Sequence, residues 1–251
     1  MKNELPIFMQ KKENYGILSD VARCISKNSK LYLVGGALRN AIYYRMFKKE
    51  LPQRDYDIVF TGKNKTKLIN NLKKNTFVIH SKRKKEYVLE RPKIPHPKSI
   101  KDFVILDIHF EKSGNIKNIL KEKTNFTING FALPLKTINN EDWYDSLIKL
   151  EDALPDLKNK IILLNKYQIK PHGSELFTCL RFMSLGFKKP DNKQLQTMVS
   201  DLNYLEPNRY KRNVKKLFDY VGGEKQARKL IKELGIKYDI FNIKNLEMIK
   251  K

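Results

Sequence analysis

Asp55 and Asp57 stand one residue apart in an apolar run that extends to Phe60, and a Gly35-Gly36 pair closes an earlier run, Leu31 to Val34. Residues i and i+2 of a strand share a face, so the two carboxylates are expected side by side. Like charges placed this way repel unless a cation lies between them, and a divalent metal ion is the usual solution. A Gly-rich turn that opens a helix brings backbone N–H groups close to phosphate. The combination predicts metal-assisted chemistry on a nucleoside triphosphate. Phosphoryl transfer of that kind wants a third carboxylate, and Asp107 in the run VILDIHF is the candidate. An aspartate between Leu106 and Ile108 on a buried strand is costly unless paired or metal-bound; an edge strand turned to solvent is the alternative. Arg39 lies three residues after Gly36, in the first turn of the following helix. Its fork can reach back over the glycines toward a triphosphate, against the plainer reading of a surface arginine. The four histidines are scattered, with no metal-ligand spacing among them.

These groups need elements to hold them. Apolar runs predict strands at Leu31–Val34, Tyr56–Phe60, Thr76–Ile79, Glu86–Leu89 and Phe103–Phe110, and helices are expected over 17–26, 37–47 and 65–72, the last capped by Asn64. A basic turn, Lys82-Arg83-Lys84-Lys85, joins the third and fourth strands, and the proline-rich stretch after Arg91 reads as a loop. Phe126 to Leu133 is apolar, and periodicity does not decide between helix and strand there. Beyond about residue 138 helical patterns dominate, at 175–185, 193–202, 210–220 and 225–234, with Gly222-Gly223 and Gly235 as helix stops. The expected organisation is α+β, a mixed sheet with helices over 1–137 followed by an all-helical domain over 138–251.

Composition points to the partner. Among 251 residues, 51 Lys and Arg oppose 27 acids, for a net charge of +24. Such charge favours a polyanion, nucleic acid above all, although a genome biased toward Lys, Asn and Ile codons would also enrich lysine. Lys211, Arg212, Lys215 and Lys216 form a basic helix face, read either as an RNA backbone contact or as a solvated surface. Tyr43, Tyr44, Tyr204, Tyr210 and Tyr220 could stack bases or pack in the core. No run reaches membrane-spanning length and the N-terminus has no signal-like core, so a cytoplasmic protein is expected. Cys24 and Cys179 lie far apart and read as buried thiols of a reducing compartment.

Taken together the motifs resemble the bacterial-type (class II) tRNA nucleotidyltransferase and poly(A) polymerase family, within the polymerase-β-like superfamily. Gly35-Gly36, Arg39, a helix, then Asp55 and Asp57 match its first motif. KTNFTIN, Lys123 to Asn129, resembles its second, and TCLRFMSLGF, Thr178 to Phe187, is similar to the end of its neck motif. The resemblance extends over roughly residues 17 to 245. It implies a polymerase-β-like head and helical neck that transfer a nucleotide from an NTP to an RNA 3′-hydroxyl, releasing pyrophosphate. Two Mg²⁺ or Mn²⁺ ions would sit on Asp55, Asp57 and Asp107. Gly35, Gly36, Arg39, Asn125, Asn129, His172, Glu175 and Arg181 would bind the nucleotide.

The departures from the family pattern cluster where the nucleotide is read. Asn40 replaces an aspartate, Lys123-Thr124-Asn125 replaces Arg-Arg-Asp, and His172, Glu175 and Thr178 occupy the template positions of the neck. Twelve residues separate Phe110 from Lys123 where a longer loop is usual, and Ile148-Lys149 stands in place of Gly-Gly. Addition of A, or of a single nucleotide, is therefore expected over complete CCA synthesis. The family's body and tail helices are not matched, so the basic surface or a partner protein is expected to hold the RNA. An RNA-binding pseudoenzyme, or a transferase acting on another hydroxyl, are the competing expectations.

Overall fold

The computed structural model describes residues 12–26, 28–52, 55–82, 85–93, 97–99, 102–111, 114–140, 142–167, 172–237 and 239–241. The chain divides into two compact units, Met1–Lys121 with Asn129–Leu154, and Glu122–Ile128 with Pro155–Lys251. Passage between them thus runs through residues 122–154 and not through a single linker.

The first unit is built on a seven-stranded sheet in the order β3-β4-β5-β2-β1-β6-β7. Its strands are β1 (Lys30–Val34), β2 (Tyr56–Thr61), β3 (Val78–Lys82), β4 (Glu86–Pro92), β5 (Phe103–Glu111), β6 (Phe131–Pro134) and β7 (Ile148–Lys149). Strands β2 and β5 run parallel, and the other neighbours pair antiparallel, so the sheet is mixed. Alternation in β5 sets its two faces. Val104, Leu106, Ile108 and Phe110 are buried on one, while Ile105, Asp107, His109 and Glu111 occupy the other and are only half-buried. Because β5 lies between β4 and β2, Asp107 is on an interior strand and the edge-strand alternative falls.

Helices α1 (Lys12–Arg23), α2 (Gly35–Phe47), α3 (Lys65–Lys74) and α4 (Ile116–Lys123) accompany these strands. Helix α2 packs on β1, β2 and β6 through Ala37, Leu38, Ala41 and Ile42, all buried. Asn64 occupies the N-cap of α3 without a side-chain capping bond, because its backbone (φ −97°, ψ 50°) lacks the extended conformation that aims a cap side chain at the first turn. The undecided stretch after Phe126 resolves into a 3₁₀ turn, Thr127–Asn129, followed by β6. Ile148-Lys149, where the resemblance leads one to look for glycines, pairs with β6 as a short strand. Arg83 and Lys84 of the basic turn lie outside the described residues.

The second unit is helical, with α6 (Glu175–Ser184), α7 (Asn192–Ser200), α8 (Pro207–Val221) and α9 (Glu224–Glu233); α5 (Ala153–Asn159) begins at the close of the first. Its core gathers Phe126, Leu176, Phe177, Leu180, Met198, Tyr210 and Leu217. The Phe177 and Tyr210 rings meet edge-on at 5.4 Å, as do Phe126 and Phe182 at 5.9 Å. Each such side chain contributes about 2 kcal/mol through burial. Gly222 ends α8 in the left-handed conformation, and Asp191 caps α7 by accepting the Gln194 N–H.

Candidate active site

Strand register assembles the site. Val34, the last residue of β1, pairs with Asp57 of β2, and Asp57 pairs with Asp107 of β5. The glycine turn that leaves β1 therefore emerges beside the carboxylates. Gly35 has φ +68°, and a Cβ there would lie 3.1 Å from the Asp57 carboxyl carbon. Two independent constraints thus demand glycine: a left-handed backbone and a carboxylate packed against Cα.

Helix α2 starts directly at that turn. Its first turn has no side-chain cap and no acidic residue. The Gly36 N–H instead donates to the Asp57 carboxylate from the neighbouring strand. Asp57 is thus a non-local cap, with its negative charge at the positive end of the helix. Even so, burial pushes its carboxyl up to about 7, and the charges of Asp55 and Asp107 push in the same direction. The Gly36 N–H and the Arg39 charge act the other way and do not cancel these effects. A proton or a metal ion beside Asp57 relieves the same strain, and the structure therefore fits a cation here.

Of the charges acting on Asp57, that of Asp55 has the largest effect, ahead of Asp107. Strand β2 begins at Tyr56, so Asp55 precedes it and is exposed, although its charge still acts on Asp57. Among the described residues, candidate ligand atoms of Asp57, Asp107 and His109 all lie within 4.8 Å of one another. Spacing among the histidines alone does not single out His109. The usable signal was Asp107-Ile108-His109, two polar side chains on one strand face.

Arg39 folds back over the turn, its Nη2 3.5 Å from where a Gly36 Cβ would be. Neutral amides hold its fork: Nη1 donates to Asn129 Oδ1 (2.6 Å), and Nε and Nη2 donate to Asn40 Oδ1 (3.1 and 2.7 Å). Asn40 is buried and donates in turn to the Pro52 carbonyl (3.1 Å). These two amides orient the guanidinium.

The remaining expected nucleotide contacts fall in the second unit. Asn125 is half-buried, and its carbonyl accepts the Asn165 N–H; the Thr124 side chain is buried. Glu175 is fully buried, and its carboxylate accepts the His172 N–H (2.9 Å), while the His172 side chain is exposed. Arg181 donates to Thr178 Oγ1 (2.7 Å) and lies over the Tyr220 ring. Lys211, Arg212, Lys215 and Lys216 are exposed on α8, opposite buried Tyr210 and Leu217. Tyr43 and Tyr210 are core residues, whereas Tyr204 is 68% exposed.

No protein-family model matches the sequence, nor does the sequence of any curated protein. Solved structures do match in fold. A Thermotoga maritima CCA-adding enzyme complexed with tRNA aligns with 92% of this chain and 52% of its own, at 19% identity and a TM-score of 0.61. A CCA-adding enzyme bound to CTP aligns with 96% of this chain and 52% of its own, at 19% identity and a TM-score of 0.58. A tRNA nucleotidyltransferase complexed with a primer tRNA and an ATP analogue covers 87% of this chain and 63% of its own, at 21% identity and a TM-score of 0.53. The mixed seven-stranded sheet with its helices matches the nucleotidyltransferase head of CCA-adding enzymes. The chain spans about half the length of the first two. Among the described residues no helix is long and apolar enough to cross a membrane.

Proposed function

We propose that this chain is a template-independent RNA 3′-end nucleotidyltransferase. It transfers an NMP, A or C, from an NTP to the 3′-hydroxyl of tRNA or another RNA. The observation that carries this reading is the register Val34–Asp57–Asp107, which sets the Gly35-Gly36 turn beside the paired carboxylates of Asp57 and Asp107 at one end of the sheet. Solved structures of the same fold contain tRNA, CTP or an ATP analogue, which supports RNA and NTP as partners.

In the reaction the 3′-oxygen bonds to the α-phosphorus, the bond to the α–β bridging oxygen breaks, and the hydroxyl proton passes to water. Two divalent ions held by Asp55, Asp57 and Asp107 would supply acidity to the hydroxyl and neutralise charge on the leaving pyrophosphate. Arg39 binds and orients the triphosphate through a fork already fixed by Asn40 and Asn129. The basic face of α8 holds the RNA backbone without reading its sequence.

Selection of the base does not follow from a carboxylate template. Glu175 is buried and occupied with backbone, and Thr124 offers no guanidinium. Addition of one nucleotide, or of A, suits this site better than ordered CCA synthesis.

The test is incubation of the protein with each labelled NTP and tRNA lacking its CCA end, under Mg²⁺ or Mn²⁺. Label on the RNA that disappears with Asp57→Asn supports the reading. Absence of incorporation with every NTP refutes it in favour of an RNA-binding pseudoenzyme, and label on protein would point to a different acceptor hydroxyl.

A further inference from the structure

His109 lies two residues beyond Asp107 on β5 and projects from the same face. Its Nε2 is 3.7 Å from Asp107 Oδ1, and its side chain is only 33% exposed. Its cross-strand neighbours are Val59 on β2 and Glu86 on β4. Donor atoms bound to one octahedral ion at about 2.1 Å stand roughly 3 Å apart when adjacent and about 4.2 Å apart when opposite. The candidate donors of Asp57, Asp107 and His109, all within 4.8 Å of one another, need shifts of about 1 Å or less to reach that geometry.

Two carboxylates alone make a hard, oxygen-only site of the kind Mg²⁺ occupies while keeping most of its water. An imidazole changes the donor set to two oxygens and one nitrogen. Nitrogen adds affinity for first-row transition ions and little for Mg²⁺, which sheds water reluctantly. We propose that His109 is a nitrogen ligand of a divalent ion in this site and biases it from Mg²⁺ toward a transition-metal ion. The inference rests on the phosphoryl-transfer reading above for the presence of an ion. The competing role for His109 is a cross-strand charge partner of Asp107 and Glu86 that never meets the ion.

The full chain is titrated with Mn²⁺ at pH 8, since metal binding competes with protons for its ligands. Bound ion is followed by loss of the free Mn²⁺ resonance, and Mg²⁺ is measured by competition. Pulsed electron paramagnetic resonance of the Mn²⁺-loaded protein should show ¹⁴N coupling that becomes ¹⁵N coupling when the histidines are ¹⁵N-labelled, a readout that needs no substitution. His109→Ala should abolish that coupling and weaken Mn²⁺ binding about tenfold or more, with Mg²⁺ binding changed less than about threefold. Absence of nitrogen coupling in the unsubstituted protein, or equal losses for both ions in His109→Ala, overturns the assignment. Asp57→Asn separates the two levels. If that variant binds both ions as tightly as the parent, the metal-site reading itself fails, whatever His109 does.

Discussion

Asp57→Asn should make the metal-free protein more stable at alkaline pH. The Asp57 carboxyl is pushed up from 3.8 to about 7, by burial first and then by the charges of Asp55 and Asp107. A folded-state value above the unfolded one means that the native state retains the proton longer. The associated stability is fully present below about pH 4 and is lost as pH rises through about 7. A difference of about 3 units corresponds to roughly 4 kcal/mol, an upper limit because the side chain keeps some access to water. Asparagine carries no charge, yet its Oδ1 still accepts the Gly36 N–H. Urea unfolding in EDTA should therefore show Asp57→Asn more stable than the parent by about 2–4 kcal/mol at pH 8, with little difference at pH 4. Saturating Mn²⁺ at pH 8 should stabilise the parent and leave the variant nearly unmoved. A variant no more stable than the parent at pH 8, or a gain that persists unchanged at pH 4, would refute the electrostatic reasoning.

Other substitutions probe the remaining parts. Gly35→Ala forces a left-handed backbone on alanine and drives its Cβ into Asp57; a loss of about 1–2 kcal/mol in unfolding free energy and at least about tenfold in transfer rate is expected. Arg39→Lys cannot bridge Asn40 and Asn129 together, so KM for the NTP should rise about tenfold while unfolding stability changes little. Replacing Lys211 and Lys215 with Gln should lower the slope of log affinity against log salt by about 2 in RNA-binding titrations, evenly across RNA sequences. An unchanged slope would place the RNA elsewhere.

The sheet and the helical second unit were legible because apolar runs and glycine stops report local structure directly. Gly222 and β5 are examples, the first a left-handed helix end and the second a clean two-residue alternation. The meeting of Gly35, Asp57 and Asp107 was also anticipated, but its mechanism is register between three strands, which no local pattern encodes. Asp55 lies just before β2, yet its charge acts on Asp57 more strongly than that of Asp107. His109 escaped because its partners are aspartates on two strands and not other histidines. Glu175 looked available for a base, whereas it turns inward to hold the His172 N–H, a bond that only three-dimensional burial reveals. Nor does the sequence show that Asn129 belongs with Arg39 while Asn125, four residues earlier, falls in the other unit.

In the proposed reaction Asp57 and Asp107 direct a nucleotide onto an RNA 3′-hydroxyl. Its most direct test is single-nucleotide extension resolved on a gel, with each NTP supplied separately to RNA ending in a 3′-hydroxyl or a 3′-deoxy sugar. Only the hydroxyl-ended RNA should be extended, and extension should be lost when Asp57 and Asp107 are both changed to asparagine. Extension of the 3′-deoxy RNA, or extension that survives the double substitution, would contradict it.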